Sequence, residues 1–298
     1  MSIAVVVSVN DGLVMAADSA ATLTVSMTPG VIAGVANVYN NANKIFNLYK
    51  GKPIGLVTFG AGSIGNSSIG TLIKDLRATM MNKEKAKALK PQPFDAGDYT
   101  MEGVAKIVSA FLAEKCGAPE NAANMVNTNI GILLCGYSTT GSLGELWNIE
   151  IQKGNSVPPK RRREPHDSGI DWGGASEIIH RIVMGFSPAL YQALAEVSGP
   201  QGQRPTPEQL FQQLNPLLLA RLQAPLAFSP MPIQDAIDLA DFLVHSACMY
   251  SRFLPGAKIV GGPIEIAAIT KHEHFKWVSR KHYYDYSLNQ EPRHVVVD

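Results

Sequence analysis

From Ile3 to Val9 the chain is almost wholly apolar and rich in β-branched residues. A short apolar run bounded by a turn predicts a strand buried on both faces. The turn is Asn10-Asp11-Gly12, a hairpin signal because Asn and Gly tolerate positive φ. Leu13 to Ala17 predicts the returning strand. Polar and Gly-containing sequence then predicts a long excursion that comes back as a strand at Lys44 to Tyr49. Ile54 to Phe59 reads as the next strand, and "GAGSIGNSS" as a Gly/Ser-rich turn. Ile69, Leu72, Ile73, Leu76 and Met80 recur at helical spacing, which predicts a helix over about 64–82.

Residues 83–98 form a polar connection with Pro91 and Pro93. Thr100 is placed to cap a helix running to about Lys115, with Val104, Ile107, Val108 and Phe111 on its buried face. "NIGILLCG" predicts a strand covered on both sides, and "ELWNIEIQ" alternates as a half-covered one. Residues 155–169 are polar, basic and proline-containing, which predicts a loop. "WGGASEIIHRIV" reads as a glycine turn into a third helix. Residues 186–232 change character. Ser187-Pro188 and Thr206-Pro207 both look like helix starts. Leu210, Phe211, Leu214, Leu217, Leu218 and Leu222 form an apolar stripe, so this stretch predicts a helical insertion touching the body or another subunit. "IQDAIDLADFLVHSACMYSRF" predicts a long helix. "KIVGGPIEIAAIT" and "FKWVS" predict strands, and the tail after Lys281 has no assignment. Strand pairs in two groups with helices between them imply an α+β fold of two packed sheets with helix layers outside, an αββα order.

Composition excludes several classes. Lys and Arg total 26 against 25 Asp and Glu, a net charge of +1 with no field favouring nucleic acid or an acidic membrane. The basic run Lys160 to Arg163 reads as a solvated loop. Cys116, Cys135 and Cys248 are odd in number and lack CxxC spacing, which argues for reduced thiols in a cytoplasmic protein. The histidines show no metal spacing, and no cofactor is implied. The start lacks a basic region, so no secretory signal is expected. No apolar run approaches the roughly 20 residues that cross a bilayer.

Candidate chemistry sits at the start of the chain. Methionine aminopeptidase removes Met1 when residue 2 is small, as Ser2 is. A terminal serine combines a hydroxyl with an α-amine of pKa ~7.7–8.0, which can accept the hydroxyl proton. Serine is also a common second residue in any protein. Asp18 ends the second strand in "MAADSAAT" and, taken alone, reads first as a turn cap. Lys44 reads equally as an exposed strand-end lysine; buried beside Asp18 it would steer a nucleophile. The turn from Thr58 to Ser63 follows a strand and precedes a helix, where glycine N–H groups can hold an oxyanion. No Lys-Ser/Thr follows it, so it is not a phosphate loop.

Together these pieces resemble the proteasome β-type N-terminal nucleophile hydrolases, including the bacterial HslV-type and Anbu-type relatives. "SIAVVVSVNDGLVMAADSAAT" is similar to the family's opening, "GILLCGYSTTGSLGELWNIEIQKG" to its central hairpin, and "DLADFLVHSACMY" with "KIVGGPIEIAAIT" to its last long helix and Gly-Gly strand. The resemblance implies a four-layer αββα sandwich over 1–298, one domain with the insertion at about 186–232. It implies Ser2 as nucleophile, Asp18 and Lys44 as its charged partners, and Gly60 as the oxyanion donor. Thr22, Thr58 and Gly62 fall at substrate-binding positions. The implied activity is hydrolysis of peptides or unfolded proteins through an acyl-enzyme, in a homo-oligomeric ring or stacked assembly, with an ATP-dependent unfoldase as a possible partner. Two alternatives are a catalytically inactive ring subunit and a small-amide hydrolase of the same superfamily. Serine stands where the family has threonine. The family's Asp and Ser before Gly-Gly are missing, with Ser251 only a loose substitute, and its other supporting serine falls near Trp172. A further insertion lies at about 25–40.

Overall fold

The computed structural model describes residues 2–28, 31–118, 121, 129–164, 166–197 and 204–282. In chain order the strands begin with β1 (Ile3–Val9), β2 (Gly12–Ala17), β3 (Ala21–Thr28), β4 (Val31–Tyr39), β5 (Ile45–Asn47), β6 (Ile54–Gly60), β7 (Ser63–Ile64) and β8 (Ser67–Ser68). Helices α1 (Ile69–Met81), α2 (Lys83–Ala86) and α3 (Met101–Gly117) follow, then β9 (Asn129–Gly136), β10 (Glu145–Gln152), β11 (Asn155–Arg161) and β12 (Gly169–Gly174). Next come α4 (Glu177–Val183), α5 (Ala189–Val197), α6 (Pro207–Leu222) and α7 (Ile233–Phe253), and last β13 (Glu265–Thr270) and β14 (His274–Ser279).

The fold is α+β, built on two five-stranded sheets ordered β12-β1-β2-β13-β14 and β11-β10-β9-β6-β5. Their neighbouring strands run antiparallel. Every residue of β1 and β2 is buried, as the apolar run requires. The strand's two-residue period explains how. Ile3, Val5, Val7 and Val9 point into a cluster shared with α4 and α7, including Ile179 and Leu243. Ala4 and Val6 point the other way, into a cluster made by both sheets with Leu133 and Ile269. A third cluster joins β6, β9 and β10 to α1 and α3 through Leu56, Ile132, Leu76 and Val108. Burying each such Val, Leu or Ile contributes roughly 1.5–3 kcal/mol.

Several elements differ from the expectations. Asn10 and Asp11 make the first turn without positive φ. Gly12 is needed for another reason: a Cβ there would stand 2.6 Å from the Ile269 carbonyl oxygen of β13. The excursion after β2 is a hairpin, β3 with β4, and the strand expected at Lys44 shortens to β5. Helix α1 starts at Ile69, not Ile64, because a small β7–β8 hairpin intervenes and Ser68 caps the helix, its hydroxyl accepting from Thr71 N at 3.1 Å. Within the expected polar connection 83–98, Asn82 caps the short α2. Residues 155–161 are a strand rather than a loop. Pro158 and Pro159 are tolerated because β11 is the sheet's edge. The basic run is only partly solvated: Lys160 and Arg162 are exposed, but Arg163 meets Asp171 at 2.5 Å and Arg161 meets Glu145 at 3.6 Å. β12 pairs with β1 across its whole length, a strand absent from the sequence reading.

Thr100 caps α3 by accepting from Gly103 N at 3.1 Å, as expected. The insertion is helical, and Thr206 closes a capping box with Gln209.

Candidate active site

Asp18 stands at the end of β2, where the two sheets and the start of β1 meet. It is 1% exposed, and both its oxygens are fully engaged. Oδ1 accepts from the Ile3 amide at 2.9 Å and the Lys44 ammonium at 2.5 Å. Oδ2 accepts from Ala20 N at 3.1 Å and Gly261 N at 3.0 Å. Three backbone donors and one cation therefore fix a buried carboxylate whose isolation would be costly.

Lys44 is buried as well. Its position comes from β6: Thr58 N donates to the Lys44 carbonyl at 2.9 Å, and the Thr58 hydroxyl approaches the same oxygen at 3.5 Å. Thr58, expected to shape a substrate pocket, is thus packed against the lysine's own backbone. Burial pushes the Lys44 pKa below its ordinary value. The Asp18 charge and hydrogen bond oppose that shift, while the charge of Lys281 adds to it. A lysine so placed gives up its proton more readily than one in water.

Ser2 is buried immediately before the amide that Asp18 holds. Its carbonyl accepts from Ala175 N at 2.7 Å. This close approach depends on Gly174, at φ +96°, because a Cβ there would overlap the Ser2 carbonyl oxygen. Ser2, Asp18, Lys44 and Thr58 are therefore gathered at one end of the two sheets.

The remaining candidates lie further along. Gly60 ends β6 at φ +90°, and Ala61 N donates to Asn129 O at 2.9 Å. It does not sit at a helix N-terminus, since β7 and β8 separate it from α1. A cavity of about 620 Å³ opens beside Gly60, lined also by Phe59, Asn129, Gly131 and Gln152. Gly62 is exposed, and its carbonyl accepts from Ile69 N at 2.9 Å. Thr22 is half-buried in β3, opposite Val38 of β4. The insertion expected at about 25–40 falls on the end of β3 and on β4; the side chains of 24–33 lie outside the described residues. Among the described residues no hydrogen bond links the buried Ser251 hydroxyl of α7 to this group. Trp172 packs edge-on against His180 at 5.1 Å.

Three participants are absent from the sequence reading. Gly261 N closes the fourth bond to Asp18; the doubled glycine in "IVGGP" is the only local signal for it. Cys248 of α7 lies close enough to feel the pair. Burial first, then the Asp18 charge, pushes its thiol up to about 11, so it stays a protonated, inert thiol at neutral pH. Lys281 donates to the Ser19 hydroxyl at 2.7 Å and pairs with the buried Glu265 at 2.7 Å. Nothing in the local sequence marks that clamp.

No family model and no curated protein matches the chain. Among the described residues no cluster of His, Cys, Asp and Glu could hold a metal ion, and no helix is long and apolar enough to cross a membrane.

Proposed function

We propose that the protein is an N-terminal nucleophile hydrolase of the proteasome β type that cuts peptide bonds, acting after Met1 is removed. The observation that carries this reading is the buried Asp18 carboxylate joining the Ile3 amide, Lys44 and Gly261 N at the start of β1. That arrangement fixes the chain's beginning against a lysine whose pKa is lowered. The three core clusters agree with a four-layer αββα sandwich in a single unit carrying the helical insertion.

In this reading the Ser2 hydroxyl oxygen attacks the peptide carbonyl carbon while its proton passes to the Ser2 α-amine. Lys44, held by Asp18, provides positive charge beside the nucleophile. The Gly60 N–H accommodates the oxyanion. The amine returns its proton to the leaving nitrogen as the C–N bond breaks, leaving an ester on Ser2. Water then hydrolyses that ester by the same route. Thr22 and Gly62 border the substrate, which binds extended as peptide or unfolded protein. We place the enzyme in the cytoplasm as a homo-oligomeric ring or stacked assembly, with an ATP-dependent unfoldase as a candidate partner.

A second reading, an inactive subunit of the same fold, is favoured by one observation. No hydrogen bond brings Ser251 or another hydroxyl of α7 to the Asp18–Lys44 group among the described residues. Intact mass spectrometry before and after a peptide epoxyketone, which needs both a terminal amine and its hydroxyl, separates the two. Loss of Met1 with a stoichiometric adduct that vanishes in Ser2→Ala supports the hydrolase. Retained Met1, or a processed chain without adduct or peptidase activity, selects the inactive subunit.

A further inference from the structure

A second concave site lies where β5, α1 and the end of β14 meet. Its cavity of about 190 Å³ is lined by four cations, Lys50, Lys74, Arg77 and Arg280. None of the four has a carboxylate partner among the described residues. The one carboxylate in the lining, Glu265, is already engaged by Lys281 at 2.7 Å. Arg77 is half-buried and donates to the Asn47 carbonyl at 3.4 Å. Arg280 is held 4.9 Å over the Trp277 ring. Partial burial and the nearby Arg280 charge both lower the pKa of Arg77, so these charges repel in a partly dry setting.

Four like charges converging on a cavity are unfavourable without an anion, and guanidinium groups pair best with phosphate or carboxylate oxygens. Asn47 lines the same cavity but brings no charge to it. A small ligand carrying several negative charges, as an oligophosphate does, answers the four cations. The volume is below the roughly 300–1,000 Å³ usual for drug-sized ligands, which leaves little room for a nucleoside.

We propose that this cavity is a binding site for a small oligophosphate anion, of the pyrophosphate or tripolyphosphate class. The site uses none of Ser2, Asp18 or Lys44, and it stands whether or not the chain is a peptidase. Calorimetric titration of the full chain at fixed ionic strength tests it, with inorganic tripolyphosphate, pyrophosphate and sulfate as probes. One saturable site per chain is expected, with both oligophosphates bound more tightly than sulfate. Lys74→Ala and Arg280→Ala, both at exposed positions, each weaken tripolyphosphate about tenfold or more, as loss of a charged hydrogen bond does. Lys160→Ala, on the distant basic run, leaves binding unchanged. Neither pocket variant has a lower thermal midpoint than the parent without ligand, since each removes one of the mutually repelling charges, and this separates a lost contact from a lost fold. Absence of saturable binding at millimolar probe, equal weakening by Lys160→Ala, or sulfate binding as tightly as tripolyphosphate overturns the assignment. A short single-stranded oligonucleotide that binds more tightly than tripolyphosphate also overturns it, in favour of a nucleic-acid face.

Discussion

Asp18 is the residue on which the site depends, and its role is divided among four bonds. Asp18→Asn keeps the shape but removes the charge that compensates Lys44, leaving a buried ammonium unpaired. That substitution is expected to destabilise the fold by about 3–5 kcal/mol, read as a lower urea midpoint with an unchanged slope. Lys44 also sets a pH dependence. Its folded-state pKa is depressed, so between that value and the ordinary one the unfolded chain binds more protons. Its contribution therefore becomes more favourable as pH rises through that window. From sequence, Asp18 and Lys44 were visible as polar residues at strand ends, but each had an ordinary explanation. Only the resemblance joined them. The Gly261 amide, 243 residues from Asp18, was legible only as part of a doubled glycine.

At the scale of elements, patterning was readable wherever burial was two-sided or helical. β1, β2, β6, β9, α3 and α7 follow directly from runs of apolar residues or their 3.6 spacing. β12 escaped because it is short, starts and ends in glycine, and carries Asp171 towards the arginines of the basic run. β11 escaped because its two prolines read as a breaker, although an edge strand has donors to spare. β12 nonetheless positions Ser2. Gly174→Ala forces a side chain into left-handed backbone and onto the Ser2 carbonyl. It is expected to cost about 2 kcal/mol or more, visible as a lower melting temperature. Gly62→Ala, where no atom lies within 4 Å of the added Cβ, is its near-silent control.

For the whole molecule, the unusual surface is the insertion. α5 and α6 pack on each other through Tyr191, whose ring meets Phe211 at 5.3 Å and whose hydroxyl donates to Asn215 at 2.9 Å. Leu210 is buried, yet Phe211 and Leu217 remain 51% and 56% exposed, with Val197 and Leu222 also open. The sequence stripe thus divides into a part that seats the helix and a part with no cover among the described residues. Such a patch suits contact between subunits. If the proposed homo-oligomer uses it, Phe211→Lys with Leu217→Lys lowers the mass measured by light scattering and leaves the circular dichroism unchanged. A parent protein already running at 32.1 kDa rules out the assembly.

The Lys281 clamp gives the far end of the described chain a hold on its beginning. Lys281 grips Ser19, the neighbour of Asp18, and its charge is one of the influences that make Lys44 easier to deprotonate. A chain shortened after Arg280, or Lys281→Met, takes from the buried Glu265 its ion-pair partner and lets Lys44 keep its proton to higher pH. The alkaline limb of any activity that depends on Lys44 then moves upward. A tag fused near that end accordingly alters the surroundings of Lys44, and untagged protein is the proper reference for every pH profile.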